Sequence, residues 1–237
     1  MIRSLVPSLI LMFTGAALAS PETFTRDVQV CDQSVELKIT IDFDHLDESG
    51  KQLAQTLPES YFKQWPQIAL MIDAPISTTA THLKLSFQKE LGYPAHVAGD
   101  QMVISAEHAG RDEEETQGVF SHELTHFIQG YPQDAGSPGW FTEGVADLVR
   151  YKLHPESYWA KVMIKYTDKQ RALGAYWQSS AFLLWMEQTY GKPVASMVSR
   201  SCSEGKYDAS IWKRETGLTL DELVEAYGKS DWVAPGK

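Results

Sequence analysis

The residues best suited to chemistry lie in Ser121–Gln129, which reads SHELTHFIQ and contains His-Glu-x-x-His as His122, Glu123 and His126. Positions i and i+4 of an α-helix share one face, so both imidazoles can bind one metal ion. Glu123 then lies beside that metal, where it can take a proton from a metal-bound water. Apolar neighbours predict a buried helix, and a metal removes the cost of burying these polar groups.

A third ligand is available in the next predicted helix, which follows the turn-rich stretch Gly130–Gly139 and carries Glu143 and Asp147. Sixteen residues separate His126 from Glu143, enough for the first helix to end and the second to return to the metal. Two His and one Glu with an open fourth position describe a catalytic zinc site, whereas structural sites are closed. Asp147 can accept the free ring N–H of a metal-binding His.

Two alternatives to this site remain open from the residues alone. Asp147 could replace Glu143 as the third ligand, which would leave the chemistry intact and change only the groups that support the ligands. The His pair of the motif and the acidic pair of the second helix could also lie on solvent-exposed helix faces, because a short motif can occur by accident.

The run Glu143–Asp147 (EGVAD) resembles the glutamate helix of the gluzincins, in which the Glu is the third zinc ligand and, in thermolysin, the Asp supports a ligand His. The chain as a whole resembles the plant basic secretory protein family, peptidases of plants and bacteria, closely over Gln101–Arg150 and loosely to about Tyr227. Plant members are often basic, whereas this chain is acidic. Three segments carry the resemblance: Val103–Ala106 (VISA), Gly118–Gln129 (GVFSHELTHFIQ) and Glu143–Arg150 (EGVADLVR).

This resemblance implies an α+β, zincin-like fold, with a small N-terminal mixed sheet, an active-site helix and a helical C-terminal part. It implies one Zn²⁺ per chain, held by His122, His126 and Glu143. It also implies that Tyr176, which begins a predicted helix Tyr176–Tyr190, donates a hydrogen bond to the reaction's oxyanion. The alternative role for Tyr176 is that of a packing residue in the core or the cleft wall. Weaker candidates for the same role are His108, Tyr131 and His154.

Alternating apolar residues predict the strands of the sheet. In zincins an edge strand lies over the metal and pairs with extended substrate, and the strand just before the active helix is our candidate for it. The alternative is an ordinary strand within the sheet. The predicted strands are two within Thr25–Phe43, then Ile68–Ile72, His82–Gln88 and Gly99–Ala106. The predicted substrate-binding residues are Met102, Val103, Ile104, Ser105 and Ala106.

Met1–Ala19 has the pattern of a signal peptide: one basic residue, an apolar run and Ala-Leu-Ala before Ser20. We therefore expect an exported protein, periplasmic or secreted, with no membrane anchor once the signal is removed. The remaining chain divides into residues 20–130, an α+β lobe with the His-Glu-x-x-His helix, and residues 131–237, a helical lobe with the Glu ligand helix. Export favours a disulfide between Cys31 and Cys202, the alternative being two free buried thiols.

Composition restricts the partners of this chain. A formal net charge of −10 makes nucleic acid and anionic membranes poor partners, and we expect a monomer that acts on a peptide or protein. The sequence contains no Asn, which excludes N-glycosylation. It also means that the Asn side chain with which thermolysin grips the substrate backbone has no equivalent here.

Together these features predict an exported zinc metallopeptidase. Endopeptidase activity is favoured, because Gly99–Val103 (GDQMV) lacks the Glu with which aminopeptidase N relatives hold a free amino terminus. Two other functions stay open: a metal-binding or interaction protein with little turnover, and a zinc hydrolase of a non-protein amide such as cell-wall peptide. The intact Glu123 argues against the first, because a pure binding site needs no base.

Overall fold

The structure of the chain is a computed structural model that describes residues 21–109, 112–132, 136–166 and 168–234, without the side chains of residues 164 and 166. The predicted signal peptide, Met1–Ala19, lies outside the described residues. Among the helices in the described ranges, none has both the length and the apolar character that crossing a membrane requires.

The N-terminal part of the chain forms a five-stranded mixed sheet in the order β1-β2-β3-β5-β4. The first two strands are an antiparallel hairpin, β2, β3 and β5 run parallel, and β4 is antiparallel to β5. Strict alternation buries one face of β2 and β3, which is the pattern that identified them in the sequence. The strands are β1 Glu22–Val30, β2 Gln33–Ile41, β3 His82–Gln88, β4 Ala95–Ala98 and β5 Gln101–Ser105.

The strand that we expected at the sheet edge lies inside the sheet. β5 bonds to β3 on one side and to β4 on the other, and Met102 and Ile104 are fully buried. Ala106 belongs to the short helix α3 (Ala106–Ala109) that follows β5. The prediction that Met102–Ala106 is the edge strand over the metal is therefore wrong. The edge is β4, which has only four residues and gave no readable alternation.

A predicted strand at Ile68–Ile72 is instead the end of a helix. Two helices, α1 (Glu48–Ala54) and α2 (Leu57–Met71), connect β2 to β3. The buried residues of α2 recur with helical spacing, and a short apolar run does not by itself distinguish strand from helix. Residues fully buried on this face of α2 are Leu57, Tyr61, Trp65 and Ile68.

The rest of the described chain is mainly helical, and one helix begins and ends where the sequence predicted. α7 runs from Tyr176 to Tyr190, and Gly191 ends it in the left-handed conformation. Thr219 and Glu222 form a capping box at the start of the last helix. The helices are α4 Glu113–Gln129, α5 Gly139–Leu153, α6 Tyr158–Tyr166, α7, α8 Val194–Ser203, α9 Ser210–Thr216 and α10 Leu220–Lys229, with a 3₁₀ turn at Lys169–Arg171.

These elements share one hydrophobic core that extends from Val30 to Tyr227. The arrangement confirms the predicted α+β fold, and the lobe boundary at residue 130 stays a prediction. The ligand helix α5 packs most closely on α7 at Gly144. A Cβ there would lie 2.6 Å from the Ser179 Cβ, so only glycine allows this approach.

The predicted disulfide between Cys31 and Cys202 is absent, and both cysteines are free. Cys31 is exposed in the β1–β2 turn, whereas Cys202 is fully buried on α8. A disulfide requires the two Cα atoms within about 7 Å and converging Cβ vectors. One thiol faces solvent and the other faces the core, so they cannot bond unless an element moves.

Candidate active site

The helix α4 brings the His-Glu-x-x-His residues to the floor of a cleft. The Asp112 side chain caps its N-terminus by accepting from the Glu115 backbone N–H at 2.9 Å. Gly130, at φ +45°, ends it and lets the chain turn away. The face towards the cleft presents His122, Glu123 and His126.

The second helix, α5, runs antiparallel to α4 and meets it through a series of polar contacts. As residue numbers rise along α5, the numbers of their partners on α4 fall, as expected for antiparallel helices. These contacts fix the register of the two helices. We call these contacts the polar ladder. Its pairs, in order along α5, are Thr142 with Gln129, Glu143 with His126, Asp147 with His122, and Arg150 with Glu115.

Three ligand atoms of the ladder converge on one point. The Nε2 atoms of His122 and His126 are 3.2 Å apart, and Glu143 Oε2 lies 3.3 Å from the first and 3.4 Å from the second. Ligands bound at about 2.0–2.1 Å to a tetrahedral zinc ion are about 3.3 Å from one another. The spacing of His122, His126 and Glu143 therefore fits a zinc ion, and all three residues line the cleft.

Hydrogen bonds on the far side of each imidazole orient its Nε2 towards this point. His122 Nδ1 donates to Asp147 Oδ1 at 2.7 Å, because a carboxylate can only accept. His126 Nδ1 donates to Gln129 Oε1 at 2.8 Å, while Gln129 Nε2 donates to the Thr142 carbonyl at 3.1 Å. Both Nε2 lone pairs then face a carboxylate oxygen. Three acceptors cannot lie so close unless a cation or a proton sits between them.

The pKa shifts of His122 and Glu143 also indicate that the site favours a positive charge. Burial alone would lower the pKa of His122, but Asp147 and Glu143 outweigh it and raise the pKa to about 10. Burial alone would raise the pKa of Glu143, but hydrogen bonds from the two imidazoles bring it far below its ordinary value. The raised pKa of His122 and the lowered pKa of Glu143 both favour a proton or a metal cation between these side chains.

Two further groups reach the cleft beside the ligands. Glu123 is 8 % exposed, and burial raises the pKa of its carboxyl group against the opposing charges of the two His residues. The Tyr176 ring stacks over His122, with centroids 6.1 Å apart and planes at 18°. The Glu143 carboxylate, then burial, raises the pKa of Tyr176, so its hydroxyl stays protonated and can donate.

The cleft has a volume of about 690 Å³ and two walls of different character. One wall is the segment Tyr93–Val97, which contains most of the edge strand β4. The other carries Trp159 and Trp177, whose ring centroids are 5.3 Å apart. The guanidinium of Arg150, 5 % exposed, lies over the Trp159 ring at 5.7 Å from its centroid.

The structure brings the predicted ligands, base, supporting acid and hydroxyl donor to this one cleft: His122, Glu123, His126, Glu143, Asp147 and Tyr176. The predicted substrate residues Met102–Ala106 do not line it, and neither do the other candidate donors. His154 contacts Glu114, and Tyr131 bonds to Ser199.

Sequence reasoning assigned no role to Gln129, His96 or the two Trp residues of the cleft wall. Gln129 could have been found, since it follows His126 by three residues and therefore shares its helix face. The others come from separate elements, and no spacing in the sequence connects them to the motif.

A comparison with curated proteins found no match. The family described as peptidase of plants and bacteria matches residues 94–227, more than half of the chain, from the edge strand through both ladder helices to α10. The chain therefore belongs to the family of peptidases of plants and bacteria.

Proposed function

We propose that this protein is an exported, zinc-dependent endopeptidase. The observation that carries the proposal is the triangle formed by His122 Nε2, His126 Nε2 and Glu143 Oε2, with sides of 3.2–3.4 Å. Membership in a peptidase family supports the reaction class. Export rests on the signal-peptide pattern of Met1–Ala19.

The zinc ion would be held by His122, His126 and Glu143. When bound, it supplies Lewis acidity to the scissile carbonyl and to the attacking water. Asp147 and Gln129 fix the ring orientation of the two His residues and keep the proton of each ring on Nδ1. These two side chains therefore keep both Nε2 atoms available as ligands.

Glu123 is placed to move the proton of the reaction. Its carboxylate accepts a proton from the attacking water and delivers it to the nitrogen of the leaving amine. Burial raises the pKa of Glu123, which increases its basicity. A base that is too acidic would hold the proton weakly, so the raised pKa favours both halves of the transfer.

Tyr176 is placed to stabilise the negative charge that develops on the carbonyl oxygen. Its hydroxyl remains protonated because Glu143 and burial raise its pKa. A positioned hydroxyl donor aimed at the oxyanion lowers the barrier of acyl transfer. The ring is 49 % exposed at the cleft, so the hydroxyl can reach a bound substrate.

The edge strand β4 is the structure's candidate for substrate binding, in place of the predicted Met102–Ala106. Among the described strands it ends the sheet, so its outer edge could pair with an extended peptide, and it forms one wall of the cleft. Among the described residues of the cleft, the carboxylates are Glu123, Glu143 and Asp147, and each already has a role at the metal. None remains to bind a free amino terminus, which favours an endopeptidase.

The test combines metal content with turnover for the purified mature protein. Wild type should contain about one zinc per chain by plasma mass spectrometry, and His126→Ala and Glu143→Ala should lose it. Glu123→Gln should keep the zinc and lose peptide cleavage by at least about 1,000-fold. Glu114→Gln, an exposed first-turn acid on the same helix, is the matched control and should match wild type.

Other outcomes would point elsewhere. Folded wild type that binds no zinc, even when zinc is added, would refute the metalloenzyme. Bound zinc without cleavage of any peptide would favour a metal-binding protein. Cleavage confined to cell-wall peptides would favour a zinc hydrolase that acts on a non-protein amide. Zinc retained by Glu143→Ala but lost by Asp147→Ala would make Asp147 the third ligand.

A further inference from the structure

The turn that leads into α7 has an unusual backbone. Ala175 adopts φ +65° and ψ 172°, a region that is populated almost only by glycine. The next residue, Tyr176, is also left-handed at φ +52°. Two successive non-glycine residues with positive φ are strained, and such strain persists only where the surroundings impose it.

Contacts on both sides of the turn impose this conformation. The Ala175 backbone N–H donates to Ser179 Oγ at 3.0 Å, and the Gly174 N–H donates to the Arg171 carbonyl at 2.8 Å. Ser179 is also the residue against which Gly144 of α5 packs. One serine therefore connects the turn to the helix that carries the ligand Glu143.

The Tyr176 side chain is only partly enclosed, so the backbone that leads into α7 contributes to its position. The ring is 49 % exposed, and its one described aromatic contact is with the ligand His122. A negative φ at Ala175 would change the direction in which the chain enters α7. The phenol would then leave its place over the metal ligands.

We propose that Ala175 is a positioning residue whose left-handed backbone aims the Tyr176 hydroxyl into the cleft. This inference rests on the proposed function, in which Tyr176 donates to the oxyanion. It assigns to position 175 a requirement for positive φ. Glycine meets that requirement without strain, whereas a β-branched residue opposes it.

The substitutions Ala175→Gly and Ala175→Val separate positioning from stability. Ala175→Gly should retain kcat within about twofold and raise Tm by about 2–4 °C, because relief of strain exceeds the entropy cost of glycine. Ala175→Val should lower kcat at least about tenfold, because small displacements of a catalytic group are costly. Zinc affinity should not change in either variant.

A double-mutant comparison with Tyr176→Phe shows whether Ala175 acts through the hydroxyl. Tyr176→Phe should lower kcat about 100-fold, and adding Ala175→Val should then lower it by less than about twofold more. Asp73 is the matched control, since it also has positive φ (51°) and does not line the cleft. Asp73→Val should lower Tm and leave kcat unchanged.

A readout independent of turnover separates this inference from the proposed function. In protein carrying 3-fluorotyrosine, the ¹⁹F resonance of Tyr176, assigned through Tyr176→Phe, should be unchanged in Ala175→Gly and displaced in Ala175→Val. If Tyr176→Phe keeps full activity, the donor role fails, and the ¹⁹F shift still decides whether Ala175 positions the ring. A resonance and kcat that are unaffected in Ala175→Val would overturn the inference.

Discussion

The support that Asp147 gives to His122 should be measurable as zinc affinity. Replacing Asp147 with Asn keeps an acceptor oxygen and removes the charge, whereas Ala removes both. The Nδ1–Oδ1 distance is 2.7 Å, and the two residues are 8 % and 7 % exposed. A buried, charge-assisted hydrogen bond of this length contributes more than its neutral equivalent.

The expected losses follow from these contacts. Changes in the groups that orient metal ligands cost about 10–100-fold in affinity, or about 1.4–2.7 kcal/mol. Asp147→Asn should lie near the lower limit. Asp147→Ala should lie near the upper limit, because it leaves a buried N–H without a partner. Gln129→Leu, which removes a neutral acceptor 2.8 Å from His126 Nδ1, should cost about tenfold or less.

The assay is competition for zinc against a chromophoric chelator, with circular dichroism to show that each variant is folded. Glu187→Gln, on α7, removes a half-buried carboxylate that pairs with Lys152 and does not line the cleft, and this variant serves as the control. Equal affinity in wild type and Asp147→Ala would refute the reasoning. A larger loss in Gln129→Leu than in Asp147→Ala would show that charge is not the deciding factor.

Three further predictions follow from the structure. Free zinc at 100 times its Kd should raise Tm by about 5–10 °C, from about 2.7 kcal/mol of binding free energy, and a chelator should reverse the shift in a thermal scan. Gly144→Ala, whose Cβ would lie 2.6 Å from Ser179 Cβ, should cost about 1–3 kcal/mol in a urea titration, and no change would mean that the helices separate freely. Alkylation without reductant should label Cys31 in the native state and Cys202 only after unfolding, whereas an unlabelled native protein would indicate the disulfide.

The candidate metal ligands could be predicted from the sequence because their geometry is largely local. Helical periodicity places His122 and His126 on one face without any knowledge of the fold. The prediction of Glu143 as a ligand required one further step, because the loop after the first helix must be long enough for the second helix to run back antiparallel to it. Tyr176 came from the family resemblance, and its conformation could not be predicted, because nothing in the sequence marks Ala175 as left-handed.

The errors concern properties that depend on the rest of the fold. Whether a strand lies at the edge of a sheet depends on its neighbours in the fold. The edge strand β4 (AHVA), which pairs with β5, is too short to be recognised from its sequence. The run Ile68–Ile72 fits a strand or the buried face of a helix equally well. The predicted disulfide between Cys31 and Cys202 relied only on the expected oxidising compartment. In the structure one cysteine is exposed and the other is buried.

The polar ladder explains how far the two motifs, Gly118–Gln129 and Glu143–Arg150, extend beyond the candidate metal ligands. The first motif begins at Gly118, where a Cβ would lie 2.9 Å from the Nε of Arg150. Arg150 is also the last residue of the second motif, and its buried guanidinium pairs with Glu115. At the opposite end, Gln129 closes the first motif by bonding to the α5 backbone.

The candidate metal ligands thus occupy the middle of a helix pair whose two ends are separately fixed. A shift of one residue between α4 and α5 would break the amide contact at one end and force Arg150 against the helix backbone at the other. Because the ends hold the register, the three candidate ligand atoms are kept 3.2–3.4 Å apart. The ladder therefore orders the site by itself, and a metal ion that binds there would not have to order the helices.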